Sequence, residues 1–108
     1  MAETKRYELI VNGSSGSELI ETEMAALLLT VFEVFKKKQA SYGKGNIAKF
    51  GEQGVFIRMH DKMERLYNMV WYGKDNPLND ETVDDTYMDL ADYALIALLV
   101  RSGAWDRI

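Results

Sequence analysis

The sequence predicts an all-α fold: an antiparallel bundle of three long helices, with a short N-terminal extended arm and completion by oligomerisation. The 108 residues include one Pro and eight Gly, so few positions interrupt a helix. Apolar residues recur at helical spacing in three long segments, and residues typical of helix ends bound each segment.

We expect residues 1–16 to form an N-terminal arm and residues 17–108 to form the helical domain. Tyr7–Val11 alternates enough to make one strand, and the Gly- and Ser-containing stretch Asn12–Gly16 is typical of a turn. A single strand must pair with another chain, dock on the helices or stay loose.

The first helix is predicted from Ser17, as its N-cap, to about Ala40. The segment Ser41–Asn46 interrupts the helical pattern and is predicted to be a loop. The apolar face of this helix follows the i, i+3, i+4, i+7, i+11 spacing at Met24, Leu27, Leu28, Val31 and Phe35.

The second helix is predicted over about Glu52–Tyr72. Its predicted apolar face consists of Phe56, Met59, Met63, Leu66, Tyr67 and Val70.

The third helix is predicted over about Glu81–Ser102, with Thr82 and Asp85 in a capping pattern. Every residue from Leu95 to Val100 is apolar, so this half should be buried on all sides. Three helices cannot hide so much apolar surface well, and we therefore expect a homodimer or a higher homo-oligomer. The alternative is a monomeric three-helix bundle with an irregularly packed core.

Composition and charge exclude several classes of protein. The net charge is −4, which argues against a nucleic acid polymer as the main ligand. Cysteine is absent, so disulfides and thiolate metal sites are excluded. The apolar run Tyr93–Val100 is too short to span a membrane, and the N-terminus lacks the apolar region of a signal peptide, so we expect a cytoplasmic protein.

Charges are segregated along the chain. Between Lys36 and Arg65 there are eight bases and three acids, whereas Asp75–Asp92 holds seven acids and no base. These groups have two possible uses. The acids could hold Mg²⁺ while the bases hold phosphates, or the two sets could form ion pairs that fix helix packing.

On the first interpretation, acids three residues apart on a helix offer oxygens to one ion. The candidate Mg²⁺ ligands are Asp61, Glu64, Asp85, Asp89 and Asp92. The candidate phosphate-binding residues are Lys38, Arg58, Lys62 and Arg65. In the segment between the first two helices, Tyr42 could stack on a base and Asn46 could contact the nucleotide.

Three motifs carry a family resemblance: Lys38-x-x-x-Tyr42-Gly43, Arg58-x-x-Asp61-Lys62-x-x-Arg65-Leu66, and the acidic run from Glu81 through Asp85 and Asp89 to Tyr93-Ala94. Over about residues 30–100 the chain resembles the nucleotide modification associated domain 1 family, small proteins frequent in bacteriophages. More distantly it is similar to MazG-like all-α nucleoside triphosphate pyrophosphatases, which implies Mg²⁺ at Asp61, Glu64, Asp89 and Asp92. Both resemblances imply a link to nucleotides, and a phage origin implies the host cytoplasm.

The resulting expectation is a protein with a small nucleotide ligand and no membrane partner. The leading hypothesis is Mg²⁺-dependent nucleotide processing, either pyrophosphatase-like hydrolysis of a nucleoside triphosphate or metabolism of a modified nucleotide. One alternative is a non-catalytic binder that sequesters a host signalling nucleotide. The other is a structural or partner-binding helical bundle in which the charges serve packing.

Overall fold

A computed structural model describes residues 18–74 and 81–106 of the chain. The prediction of an all-α fold with three long helices is confirmed, and no strand occurs within these residues. Helix α1 spans Glu18–Tyr42, α2 spans Gly45–Leu66 and α3 spans Val83–Arg101. The predicted arm, residues 1–16, lies outside the described residues.

The chain divides into two compact units, Met1–Lys37 and Lys38–Ile108. In the first unit, Ala25 and Val31 of α1 are buried, whereas Met24, Leu27 and Leu28 are exposed. The predicted apolar face of this helix is therefore only partly buried in the single chain.

The connection between α1 and α2 is much shorter than predicted. Tyr42 is the last residue of α1 and Asn46 is the second residue of α2, so the predicted loop Ser41–Asn46 is wrong. Only Gly43 and Lys44 connect the helices. Gly43 has a φ of 71°, a left-handed conformation that turns the chain within one residue.

Helix α2 is kinked at Gly51, whose φ of 62° and ψ of −153° only glycine adopts readily. The kink explains why the periodicity indicates a helix start near Glu52, although helical backbone begins at Gly45. After Leu66 the helix continues as a π-helical segment, Tyr67–Trp71, which gives the chain a wider turn before the segment that leads to α3.

Helices α2 and α3 pack against each other in antiparallel orientation. Arg101, at the end of α3, bonds both carboxylate oxygens of Glu52, near the start of α2, at 2.9 and 3.1 Å. The core of this unit contains Ile47, Val55 and Leu66 of α2 and Ile96 of α3.

Trp105 joins this core from a short 3-10 turn, Ala104–Asp106, that follows α3. Its indole nitrogen donates to the Lys44 carbonyl oxygen at 3.2 Å, which ties the end of the described chain to the residue preceding α2.

The predicted apolar face of α2 and the apolar half of α3 are both largely exposed in the single chain. On α2, Phe56, Met63, Tyr67 and Val70 of the predicted apolar face are exposed and only Leu66 is fully buried. On α3, three of the residues predicted to be buried on all sides are exposed, namely Leu95, Leu98 and Leu99. Periodicity locates an apolar face correctly, but it does not say whether the same chain covers that face.

The capping pattern at the start of α3 is confirmed. The Asp85 backbone N–H donates to the Thr82 hydroxyl at 3.0 Å, and the Thr82 N–H donates to the Asp85 carboxylate at 3.1 Å. The box fixes where α3 begins and thus the position of Glu81, which immediately precedes the N-cap residue Thr82.

Replacing Thr82 with alanine removes this cap. We expect the free energy of unfolding to fall by about 1 kcal/mol, because the Asp85 backbone N–H loses its acceptor. Urea denaturation followed by circular dichroism measures the change. Thr30→Ala is the control, since among the described residues that hydroxyl bonds the Ala26 carbonyl within α1. An equal loss in both variants would contradict the assignment.

Candidate functional site

Five charged side chains meet where the ends of α1 and α2 approach the start of α3. The Lys62 ammonium lies 2.8 Å from a carboxylate oxygen of Asp89 and 2.8 Å from one of Glu81. Lys38 bonds the other Asp89 oxygen at 2.6 Å, and Arg65 pairs with the other Glu81 oxygen. We call Lys38, Lys62, Arg65, Glu81 and Asp89 the charge cluster.

Local structure brings these groups together from distant parts of the sequence. Lys62 and Arg65 are three residues apart on α2, so they share a side of the helix. Thr86, fully buried, donates its hydroxyl to Glu81 at 3.1 Å or to the Thr82 carbonyl at 2.9 Å. The start of α3 therefore holds Glu81 against the last turn of α2.

The cluster is covered at its centre and open at its sides. The side chains of Lys62, Glu81 and Asp89 are each 14% exposed, whereas those of Lys38 and Arg65 are 42% and 38% exposed. Lys62 therefore bridges the two carboxylates on the inside, and the two outer cations can be reached from solvent.

Pairing shifts the pKa values of the inner groups. Burial alone would lower the pKa of Lys62, but its bonds to Asp89 and Glu81 outweigh burial and raise it above its ordinary value. For Asp89, burial alone would raise the pKa, but bonds from Lys38 and Lys62 hold it below the ordinary value. Both groups are charged at neutral pH.

Asp92 is the exception among these carboxylates. It lies one turn after Asp89 on α3 and is 5% exposed, and its Oδ2 atom has no hydrogen-bond partner among the described residues. Burial raises the pKa of Asp92 to about 6, the negative Asp89 adds to this shift, and Lys38 offsets part of it. A buried oxygen without a partner is uncommon in folded proteins and costs stability.

Two of the predicted metal ligands, Asp61 and Glu64, lie on the exposed surface of α2. The Glu64 carboxylate is 3.9 Å from His60, and no partner of Asp61 is found within the described residues. Asp85 is also exposed, and it serves in the cap of α3. The structure therefore brings Asp89 together with Lys38 and Lys62, and Asp92 lies one turn further along α3 within the field of Lys38. It does not add Asp61, Glu64 or Asp85 to them.

The remaining predicted nucleotide-contacting residues lie within one or two helical turns of cluster residues in the sequence. Arg58 is half-buried one turn before Lys62 on α2, and residues 18–74 and 81–106 show no ion pair for it. Tyr42 is exposed one turn after Lys38, at the end of α1, and Asn46 is exposed in the first turn of α2.

Sequence reasoning missed two residues as members of the site, Glu81 and Thr86. The regular spacing Glu81, Asp85, Asp89 indicates one acidic stripe on a helix. Because α3 begins after Thr82, Glu81 instead leaves the stripe and reaches Lys62 and Arg65. The Thr86 hydroxyl could have been found from its position one turn after the cap.

Comparisons with sequence models of protein families, with curated proteins and with solved structures find no match. Among the described residues, no three His, Asp or Glu side chains lie together as a metal-binding group. None of the helices described is both long enough and apolar enough to cross a membrane.

Proposed function

We propose that the protein binds a phosphorylated nucleotide at the charge cluster. The observation that carries this proposal is the convergence of Lys38, Lys62 and Arg65 at a site that is covered at its centre and open to solvent at two of its cations. The charge cluster contains three cations and two carboxylates, so its net charge is +1 when Asp92, which is not a member of the cluster, is left out.

The outer cations suit the phosphate groups. An arginine can hold a phosphate with two parallel N–H bonds, and a lysine supplies a point charge. Lys38 and Arg65 can turn toward a bound phosphate while Lys62 keeps Asp89 and Glu81 in place. Arg58 adds a half-buried cation one turn from Lys62. No ion pair among the described residues balances the charge of Arg58.

A base could be held at the end of α1. Tyr42 is exposed and lies one turn from Lys38, a spacing that suits a ligand with phosphate at one end and a flat aromatic group at the other. Asn46 follows across the two-residue connection and offers amide groups for hydrogen bonds. The resemblance to a nucleotide-associated family supports the same class of ligand.

A second candidate function is Mg²⁺-dependent hydrolysis of a nucleoside triphosphate. The observation that favours it is the buried Oδ2 atom of Asp92, a hard oxygen ligand whose bonding capacity is unused within the described residues. Asp92 and Asp89 would hold the ion, which would polarise a phosphoryl group and supply an activated water. Asp89 is already bonded by two lysines, so the fit rests chiefly on Asp92.

Calorimetric titration with a panel of nucleoside mono-, di- and triphosphates, with and without Mg²⁺, tests the proposal. We expect Arg65→Met and Lys38→Met each to weaken binding by about 10- to 100-fold, because each removes a charge-assisted bond of about 1.5–3 kcal/mol. Arg101→Met is the matched control, since it also removes an arginine from an ion pair, with Glu52, that joins α2 to α3 but lies outside the cluster.

Equal loss of affinity in Arg65→Met and Arg101→Met would contradict the location of the site, and no binding by any nucleotide would refute the proposal. Chemical analysis of the nucleotide after incubation separates the two functions. Recovery of intact nucleotide indicates a binder, and release of phosphate or pyrophosphate only with Mg²⁺ indicates the hydrolase.

A further inference from the structure

Helix α2 and the π-helical segment carry an exposed apolar stripe that the single chain leaves uncovered. Its members are Phe56, Ile57, Met63, Tyr67, Val70 and Trp71, each between about half and three quarters exposed. We call these six residues the α2 stripe. Burying such a surface is favourable, and folded monomers rarely expose a contiguous apolar patch of this extent.

The composition of the stripe is that of an interface core. Aromatic residues and Met are enriched at the centre of protein interfaces. The rings of Tyr67 and Trp71 lie 6.2 Å apart between centroids, and those of Tyr67 and Tyr72 lie 5.7 Å apart, so one end of the stripe is an aromatic group. The exposed side chains of His60 and Glu64, on the same helix, lie 3.9 Å apart within one chain.

We propose that the α2 stripe is the two-fold interface of a homodimer, with α2 of one protomer antiparallel to α2 of its partner across Met63. Phe56 and Val70 lie seven residues before and after Met63. An antiparallel two-fold axis at Met63 therefore places Phe56 against Val70 of the partner subunit at both ends of the contact.

The exposed area agrees with a second copy as the occupant. Six large side chains that are at least about half exposed offer roughly 600–700 Å² per protomer, and a stable interface buries about 800 Å² per partner. The stripe alone supplies most of that area.

The oligomeric state of the full chain tests this inference. Sedimentation equilibrium across the micromolar range should give twice the monomer mass for the wild-type protein. Met63→Glu should give a monomer, because two carboxylates would face each other at the axis. Leu98→Glu is the matched control: it places the same charge at an exposed leucine of α3, outside the stripe, and should remain dimeric. Circular dichroism checks that both variants fold.

Cross-linking gives an independent readout, since the chain contains no cysteine. Met63→Cys should form a disulfide-linked dimer under mild oxidation, whereas Leu98→Cys should not. A monomeric wild type would overturn the proposal, as would a dimer that resists Met63→Glu but is broken by Leu98→Glu. If the folded Met63→Cys variant never forms a cross-linked dimer, another segment, such as α1, covers the stripe. That result too would overturn the proposal.

Discussion

Replacing Lys62 with methionine is expected to lower the free energy of unfolding at pH 7 by about 3 kcal/mol. Lys62 is the only cation that touches both inner carboxylates among the described residues. Without it, Asp89 and Glu81 remain largely buried, with Lys38 still paired to Asp89 and Arg65 still paired to Glu81. Breaking a buried ion pair from one side costs about 3–5 kcal/mol. The 14% exposure of these side chains places the expected loss at the lower end.

The pH dependence of this loss follows from the pKa shifts. The raised pKa of Lys62 contributes stability that is present below the pKa of the unfolded lysine and is lost as pH rises through the folded value. The lowered pKa of Asp89 contributes stability that is present above the unfolded carboxyl pKa and is lost as pH falls through the folded value. The effect of Lys62→Met should therefore be largest in the neutral range.

Urea denaturation at several pH values measures the loss, and Arg101→Met is again the control. Its ion pair with Glu52 is well exposed, and exposed pairs contribute at most about 1 kcal/mol. If Lys62→Met costs no more than Arg101→Met, the charge cluster does not have the buried centre described above.

Replacing Asp92 with asparagine is expected to stabilise the protein at pH 8 by about 2–3 kcal/mol. The pKa of Asp92 is raised from 3.8 to about 6, so the folded state disfavours the charged carboxylate. A shift of about two pKa units corresponds to about 3 kcal/mol, and asparagine keeps the shape without the charge.

The way in which the stability gain of Asp92→Asn changes with pH tests whether the raised pKa of Asp92 causes that gain. Between about pH 4 and pH 6 the folded wild type binds more protons at Asp92 than the unfolded chain, so its stability rises as pH falls through this range. The gain from Asp92→Asn should therefore shrink with falling pH to about 0.5 kcal/mol near pH 4, and vanish below the unfolded pKa of 3.8. Asp84→Asn, at an exposed position in the first turn of α3, is the control and should show no such gain. A destabilised variant at pH 8, or a gain equal at both pH values, would contradict the assignment.

A carboxylate that lowers the stability of the fold at neutral pH is more readily explained by a role in a functional site than by a role in helix packing. Groups with strongly shifted pKa values cluster at functional sites, although structural networks also produce them. Function commonly carries such a stability cost. The buried Asp92, one turn from Asp89 and within the field of Lys38, is therefore the feature that distinguishes the proposed nucleotide site from a set of ion pairs that only fix helix packing.

Much of the fold could be predicted because local signals determine it. Thr82 and Asp85 predict the start of α3 through a capping box that depends only on residues three positions apart. The connection between α1 and α2 was mispredicted because Gly43 completes the turn in one residue, whereas the Gly- and Asn-containing sequence is equally typical of a longer loop.

The site could be predicted only in part. Charge segregation indicates that acids and bases of different segments meet, but it does not choose partners. Lys38 bonds a carboxylate 51 residues away, and no local spacing encodes that contact. Asp61 and Glu64 match an acidic-pair pattern on α2, yet the face of α2 that packs against α3 carries Lys62 and Arg65. Packing, rather than spacing, decides which acids join the cluster.

A thermal-unfolding screen of the wild-type protein against nucleotides, with and without Mg²⁺, tests the central claim most directly. A nucleotide at 100 times its Kd should add about 2.7 kcal/mol to the free energy of unfolding. The account predicts stabilisation by at least one phosphorylated nucleotide, and at the same nucleotide concentration a stabilisation reduced by about half or more in Arg65→Met but unchanged in Arg101→Met. Unfolding temperatures that no nucleotide changes would contradict it and leave the charges a role in packing alone.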